Sequence, residues 1–85
     1  MVRIIRQQEV SKLTGKPKSS LYRDINLGLM TPPINIGARA VGWFDDEINA
    51  INSARVSGKT NCEIRDLVKK LIENRKTIGQ VEVNA

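Results

Sequence analysis

Glycine and proline interrupt this chain at residues 15–17, Gly28, residues 31–33, Gly37, Gly42, Gly58 and Gly79, so it must be built from short elements joined by tight turns. Val10 and Leu13 give residues 7–14 one apolar face at i, i+3. Gly15 suits the position after the helix, where it adopts positive φ without a Cβ penalty. Pro17 suits the first turn of a second helix, because its φ is already helical and its missing N–H has no partner there in any case. That helix runs to about Leu27, with Gly28 ending it. Leu21 and Ile25 point inward at i, i+4, which leaves Lys18, Ser19, Tyr22, Arg23 and Asn26 on the remaining surface.

Residues 31–33, Thr-Pro-Pro, cannot continue a helix, and Ile34-Asn35-Ile36 alternates as a half-buried strand does. Gly37-Ala38-Arg39-Ala40 reads as a hairpin tip and Val41-Gly42-Trp43-Phe44 as the returning strand. Residues 34–44 are therefore a small two-stranded wing with Arg39 near its end. Asp45-Asp46-Glu47 supplies negative charge to the positive end of a third helix over residues 46–56. Thr60-Asn61-Cys62-Glu63 has capping-box form and opens a fourth helix, whose Ile64, Leu67, Val68, Leu71 and Ile72 make the clearest amphipathic stripe in the chain. Gly79 marks its limit, and residues 80–85 are expected to be a mobile or loosely extended tail.

With 85 residues the expectation is one small core, and the chemistry available to it is narrow. There is no His and one Cys, Cys62, which excludes a Cys/His zinc site, an intramolecular disulfide and any His-dependent nucleophilic triad. No metal, no cofactor and no catalytic residue is expected. Short apolar runs and the lack of a long apolar N-terminal segment predict neither a signal peptide nor a membrane span, hence a cytoplasmic, nucleoid-associated protein.

The formal net charge is +5. Residues 1–44 hold seven basic and two acidic groups while residues 45–85 hold seven of each, so the whole excess lies in the first half. That asymmetry marks the first half as the face that meets an anion. Two short helices across a Gly-containing turn, a basic polar second helix and a hairpin have the arrangement of a winged helix-turn-helix. Such a unit reads double-stranded DNA by placing its second helix in the major groove. Ser19, Tyr22, Arg23 and Asn26 at i, i+3, i+4, i+7 face one groove, with Ser20 beside them and Lys16 and Lys18 at its N-terminal lip.

The run Glu9-Val10, Thr14-Gly15, Ser19-Ser20-Leu21-Tyr22-Arg23, Gly28, Pro33, Gly37, Arg39-Ala40-Val41-Gly42-Trp43 and Glu47-Ile48 resembles the AlpA-like phage regulators of the MerR-like and excisionase winged-helix group. The resemblance covers roughly residues 4–55. It implies a DNA-binding protein of a prophage or genomic island that regulates an integrase gene, acts as an excision factor, or does both. It also implies that the helix carrying Ser-x-x-Tyr-Arg is the recognition helix and that Arg39 in the wing reaches the minor groove or flanking backbone. The chain departs from the family pattern in having Lys16-Pro17-Lys18 where Leu-Ser-Arg is usual, Met30-Thr31 for Phe-Pro, and Ile51 for a Trp in the third helix.

The fold expected is thus mainly α: a winged helix-turn-helix domain over residues 1–57, an additional C-terminal helix over 58–79, and a tail over 80–85. Trp43 is read as a core anchor, and Tyr22 as either a core or an interface group. The stripe of Ile64, Leu67, Val68, Leu71 and Ile72 is either a lid on the core or a surface for self-association or a recombinase partner. The competing functional class is a protein-interaction module, antitoxin-like or anti-repressor-like, that docks through this fourth helix.

Overall fold

The computed structural model describes the backbone of residues 3–84 and the side chains of residues 3–76. Its elements run in the order β1 (Ile4–Ile5), α1 (Gln7–Thr14), α2 (Lys18–Asn26), β2 (Ile34–Gly37), β3 (Ala40–Phe44), α3 (Asp45–Val56) and α4 (Asn61–Asn84). The architecture is mainly α, with a small antiparallel sheet and a C-terminal helix added to the helix-turn-helix.

The turn between α1 and α2 follows from its sequence. Gly15 sits at φ 73°, and its N–H donates to the Ser11 carbonyl at 2.8 Å. Pro17 lies one position before the helix, with extended backbone, so α2 begins at Lys18. At its far end the Leu29 N–H donates to the Asp24 carbonyl and the Gly28 N–H to the Ile25 carbonyl, the paired bonds of a Schellman motif.

The wing is part of a three-stranded sheet of order β1-β3-β2 rather than a separate two-stranded hairpin. Ile4 pairs with Phe44 and Ile5 with Trp43, while Ile34 pairs with Gly42 on the other side. A two-residue strand carries too little alternation to be read from sequence, and only its partner β3 makes it a strand. Gly42 is required where the strands meet, since a Cβ there would lie 2.6 Å from Ile4 Cγ2 and 3.0 Å from the Ile5 carbonyl oxygen. The ladder continues into α3, where the Asp45 N–H donates to the Arg3 carbonyl at 2.8 Å and the Arg3 N–H donates to Asp45 Oδ1 at 2.9 Å.

Trp43 is fully buried at the centre of the core with Val10, Leu21, Ile48, Ile51 and Ile64. Its Nε1–H donates to the Thr31 carbonyl at 2.9 Å, so the ring brings no unpaired donor into the core. Met30, Thr31 and Ile51, which depart from the family pattern, are all buried here.

The fourth helix packs on this core. Thr60 and Glu63 form the expected reciprocal cap, with Thr60 N–H donating to Glu63 Oε1 at 3.2 Å and Glu63 N–H to Thr60 Oγ1 at 3.3 Å. Ile64 and Val68 are buried, and Leu67, Leu71 and Ile72 are half-buried against the same cluster. A surface for self-association or a recombinase partner made of all five residues is therefore corrected: two of them are already covered by the chain's own core. Arg75 closes the far end as a fork on buried Glu47, at 2.7 Å from Nε to Oε2 and 2.6 Å from Nη2 to Oε1, and its Nη2 also donates to the Pro32 carbonyl at 2.7 Å. The expected tail is corrected too, because α4 passes Gly79 and continues to Asn84. One glycine inside a helix costs about 1 kcal/mol relative to alanine, too little to end it unaided. Ala85 lies outside the described residues.

Candidate nucleic-acid interface

Helix α2 sorts its residues by the chemistry of its two faces. Leu21 and Asp24 are buried, Ile25 is half-buried, and Lys18, Ser19, Arg23 and Asn26 are exposed. Ser20 and Tyr22 lie between these limits. The Tyr22 ring meets Trp43 edge-on, with centroids 6.4 Å apart and planes at 72°. Lys18 Nζ stands 5.9 Å from the Tyr22 ring centroid, within range of a cation–π attraction. Tyr22 thus packs against the core at Trp43 and lies beside a surface cation.

Lys16 is placed differently from the other candidate residues. Its Nζ lies 2.6 Å from Asp24 Oδ2, and Arg55 Nη2 approaches the same oxygen at 3.7 Å from α3. Asp24 is 5% exposed, so a buried carboxylate ties the turn, α2 and α3 together through two cations. Sequence reasoning missed this role for Lys16. The available signal was an acidic residue on the inward face of α2, between Leu21 and Ile25, where a carboxylate survives only with a partner. Arg65 is a second residue that pattern alone did not single out: its Nε–H donates to the Leu27 carbonyl at 2.9 Å and places a cation at the negative end of α2.

Arg39 occupies the wing tip, exposed and at φ 61°. Left-handed backbone is unfavourable for a residue with a Cβ, so this side chain is kept where glycine would fit with less strain. The approach to the tip is fixed locally by the Gly37 N–H, which donates to Asn35 Oδ1 at 3.2 Å. Tyr22, Arg23 and Asn26 therefore lie on a helix braced from three sides, whereas Arg39 lies on the tip of the hairpin.

The ion pairs determine which cations are left. In the first half of the chain Glu9 is taken by Arg3 at 2.6 Å and Asp24 by Lys16. Among the described residues Arg6, Lys12, Lys18, Arg23 and Arg39 have no carboxylate partner, and all five are exposed. The excess charge seen in the sequence is an excess of unpaired surface cations on the helix-turn-helix and wing. No group of three or more His, Cys, Asp or Glu among the described residues is arranged to hold a metal, and no helix among them is long and apolar enough to cross a membrane.

The family model of the prophage CP4-57 regulatory protein (AlpA) matches residues 3–55, which run from β1 through the helix-turn-helix and sheet to the end of α3. The chain belongs to the AlpA family of phage regulatory proteins. It is also 32% identical over 57 residues to the uncharacterized protein ORF88 of Enterobacteria phage P4, a match that takes in 67% of this chain and 65% of that protein. No solved structure matches it. AlpA membership is consistent with a general DNA-binding and regulatory role, and the family is one of regulators rather than catalysts. All of α4 lies beyond the AlpA match.

Proposed function

We propose that this AlpA protein is a sequence-specific DNA-binding protein of a prophage or genomic island, acting in the cytoplasm on the nucleoid as a transcriptional regulator of an integrase gene, as an excision factor, or as both. Helix α2 enters the major groove and presents Ser19, Arg23 and Asn26 to base edges, with Tyr22 at the rim and Lys18 on a phosphate. The wing sets Arg39 against the minor groove or the adjoining backbone. Lys16 and Ser20 act from the helix N-terminus, Lys16 chiefly by holding the orientation of α2. Both outputs need only binding and bending of DNA.

One observation supports this reading above others: the outward face of α2 carries cations and hydrogen-bonding side chains, while its one carboxylate, Asp24, is buried and neutralised from within. The test is a footprint of the purified protein on fragments spanning its own gene and the nearest integrase gene, over a range of salt and with nonspecific competitor. A protected, competitor-resistant site is expected. Uniform retention that salt abolishes would reduce the charge to a nonspecific effect and overturn the proposal.

A further inference from the structure

Arg6, immediately before α1, and Arg39, at the wing tip, line one surface groove together with Gln7, Gln8 and Val41. The two arginines are 33 positions apart in sequence, and the pairing of β1 with β3 brings the start of α1 up to the hairpin. No acidic residue lines this groove. Glu9, the nearest carboxylate in sequence, is occupied by Arg3 at 2.6 Å. Two exposed arginines line this groove with no carboxylate among its lining residues, which leaves both guanidinium groups free to meet an anion. Their planar forks match the oxygens of a phosphate as well as those of a carboxylate.

We infer that Arg6 and Arg39 together hold one backbone phosphate of the DNA, flanking the segment that α2 reads. This rests on the DNA-binding reading above and makes it more specific, since Arg6 lies outside both the recognition helix and the wing. The contact fixes register and carries no sequence information. It also gives Arg39 its partner: the wing acts as one jaw on the backbone and the start of α1 as the other.

The experiment compares the full chain with Arg6→Ala, Arg39→Ala and the double variant on the fragment it protects, titrated from about 50 to about 200 mM salt and mapped by phosphate ethylation interference. Both residues are exposed, and thermal unfolding checks that the variants remain folded. The double variant is expected to lose about one phosphate contact's worth of salt dependence, so that the wild-type protein sheds roughly threefold more affinity than it does over that range. One interfering phosphate outside the α2 footprint should vanish in both single variants, and the combined loss should be smaller than the product of the two single losses. Preference for the protected site over a scrambled one should be unchanged. If Arg6→Ala binds with the wild-type salt slope and interference pattern, or if the two losses simply multiply, the shared phosphate is wrong while DNA binding stands. Free inorganic phosphate competing at millimolar level against the wild type, with an unaltered ethylation pattern, would assign the groove to a free anion and overturn the backbone contact. If the wild type protects no fragment, the DNA-binding reading fails and this contact with it.

Discussion

The Lys16 ammonium and the Asp24 carboxylate meet at 2.6 Å, and this pair locks the turn of the helix-turn-helix to the inward face of the helix proposed to read DNA. A cation that sequence places at the lip of the DNA groove is thereby held partly inside the protein, with a carboxylate that is itself 5% exposed. Arg55 adds a second positive group from α3. The orientation of α2 is therefore set by electrostatics as well as by Leu21 in the core.

Replacing Asp24 by Asn keeps the shape and removes the charge, which leaves Lys16 and Arg55 facing each other across an amide. Urea unfolding should show a loss of about 2–3 kcal/mol. Adding Lys16→Met should recover part of that loss. An Asp24→Asn protein as stable as the wild type would show that the pair contributes nothing to the fold.

The fork between Arg75 and Glu47 makes a sharper demand on geometry. Glu47→Ala leaves the guanidinium with only the Pro32 carbonyl, at an expected cost of about 3 kcal/mol or more. Arg75→Lys keeps the charge but not the second parallel bond, and should cost about 1–2 kcal/mol. Limited proteolysis should then cut α4 first, because its end would be released from α3. Equal stability of the Lys variant would mean that charge alone holds the helix.

Arg39→Gly separates fold from function at one position. Glycine relieves the left-handed backbone at φ 61°, so the melting temperature should hold or rise, by an amount equivalent to about 1 kcal/mol. Affinity for DNA should nevertheless fall. Loss of both stability and binding would make Arg39 a structural residue of the hairpin.

Arg23 is exposed on α2 and has no carboxylate partner among the described residues. Arg23→Ala should leave stability unchanged and cost about 1–3 kcal/mol of binding to the protected site, with little loss on scrambled DNA. An equal loss on both sequences would move Arg23 from the base edges to the backbone.

Two carboxylates make stability depend on acid. Asp45 is held below the usual carboxylate range chiefly by the backbone N–H of Arg3, and Glu63 chiefly by the backbone N–H of Thr60. A lowered value in the folded state means that the unfolded chain binds protons first as pH falls. The stabilisation is therefore complete above the ordinary values of 3.8 for Asp45 and 4.5 for Glu63, and disappears as pH drops through the lowered folded ones. Thermal melts across that acid range should show the loss, and Asp45→Asn with Glu63→Gln should flatten it. A double variant with an unchanged acid limb would place the titration elsewhere.

Local rules were enough for much of this molecule. Gly15, Pro17 and Gly28 fix the ends of α1 and α2, Thr60 with Glu63 starts α4, and the periodicity of Leu21, Ile25, Ile64 and Val68 selects the faces that turn inward, because each of these depends on residues within two helical turns. The exposed candidates Lys18, Ser19, Arg23, Asn26 and Arg39 were legible for the same reason. The family pattern also lies in the sequence itself. Only the tertiary structure decided the rest: that Ile4–Ile5 is a strand, that Lys16 belongs to Asp24, that Arg75 grips Glu47 across 28 residues, and that Arg6 shares a groove with Arg39. Those outcomes depend on pairings between distant segments. A charge or a two-residue strand has no periodicity to reveal its partner, and its role is fixed only once the core has brought that partner within a few ångströms.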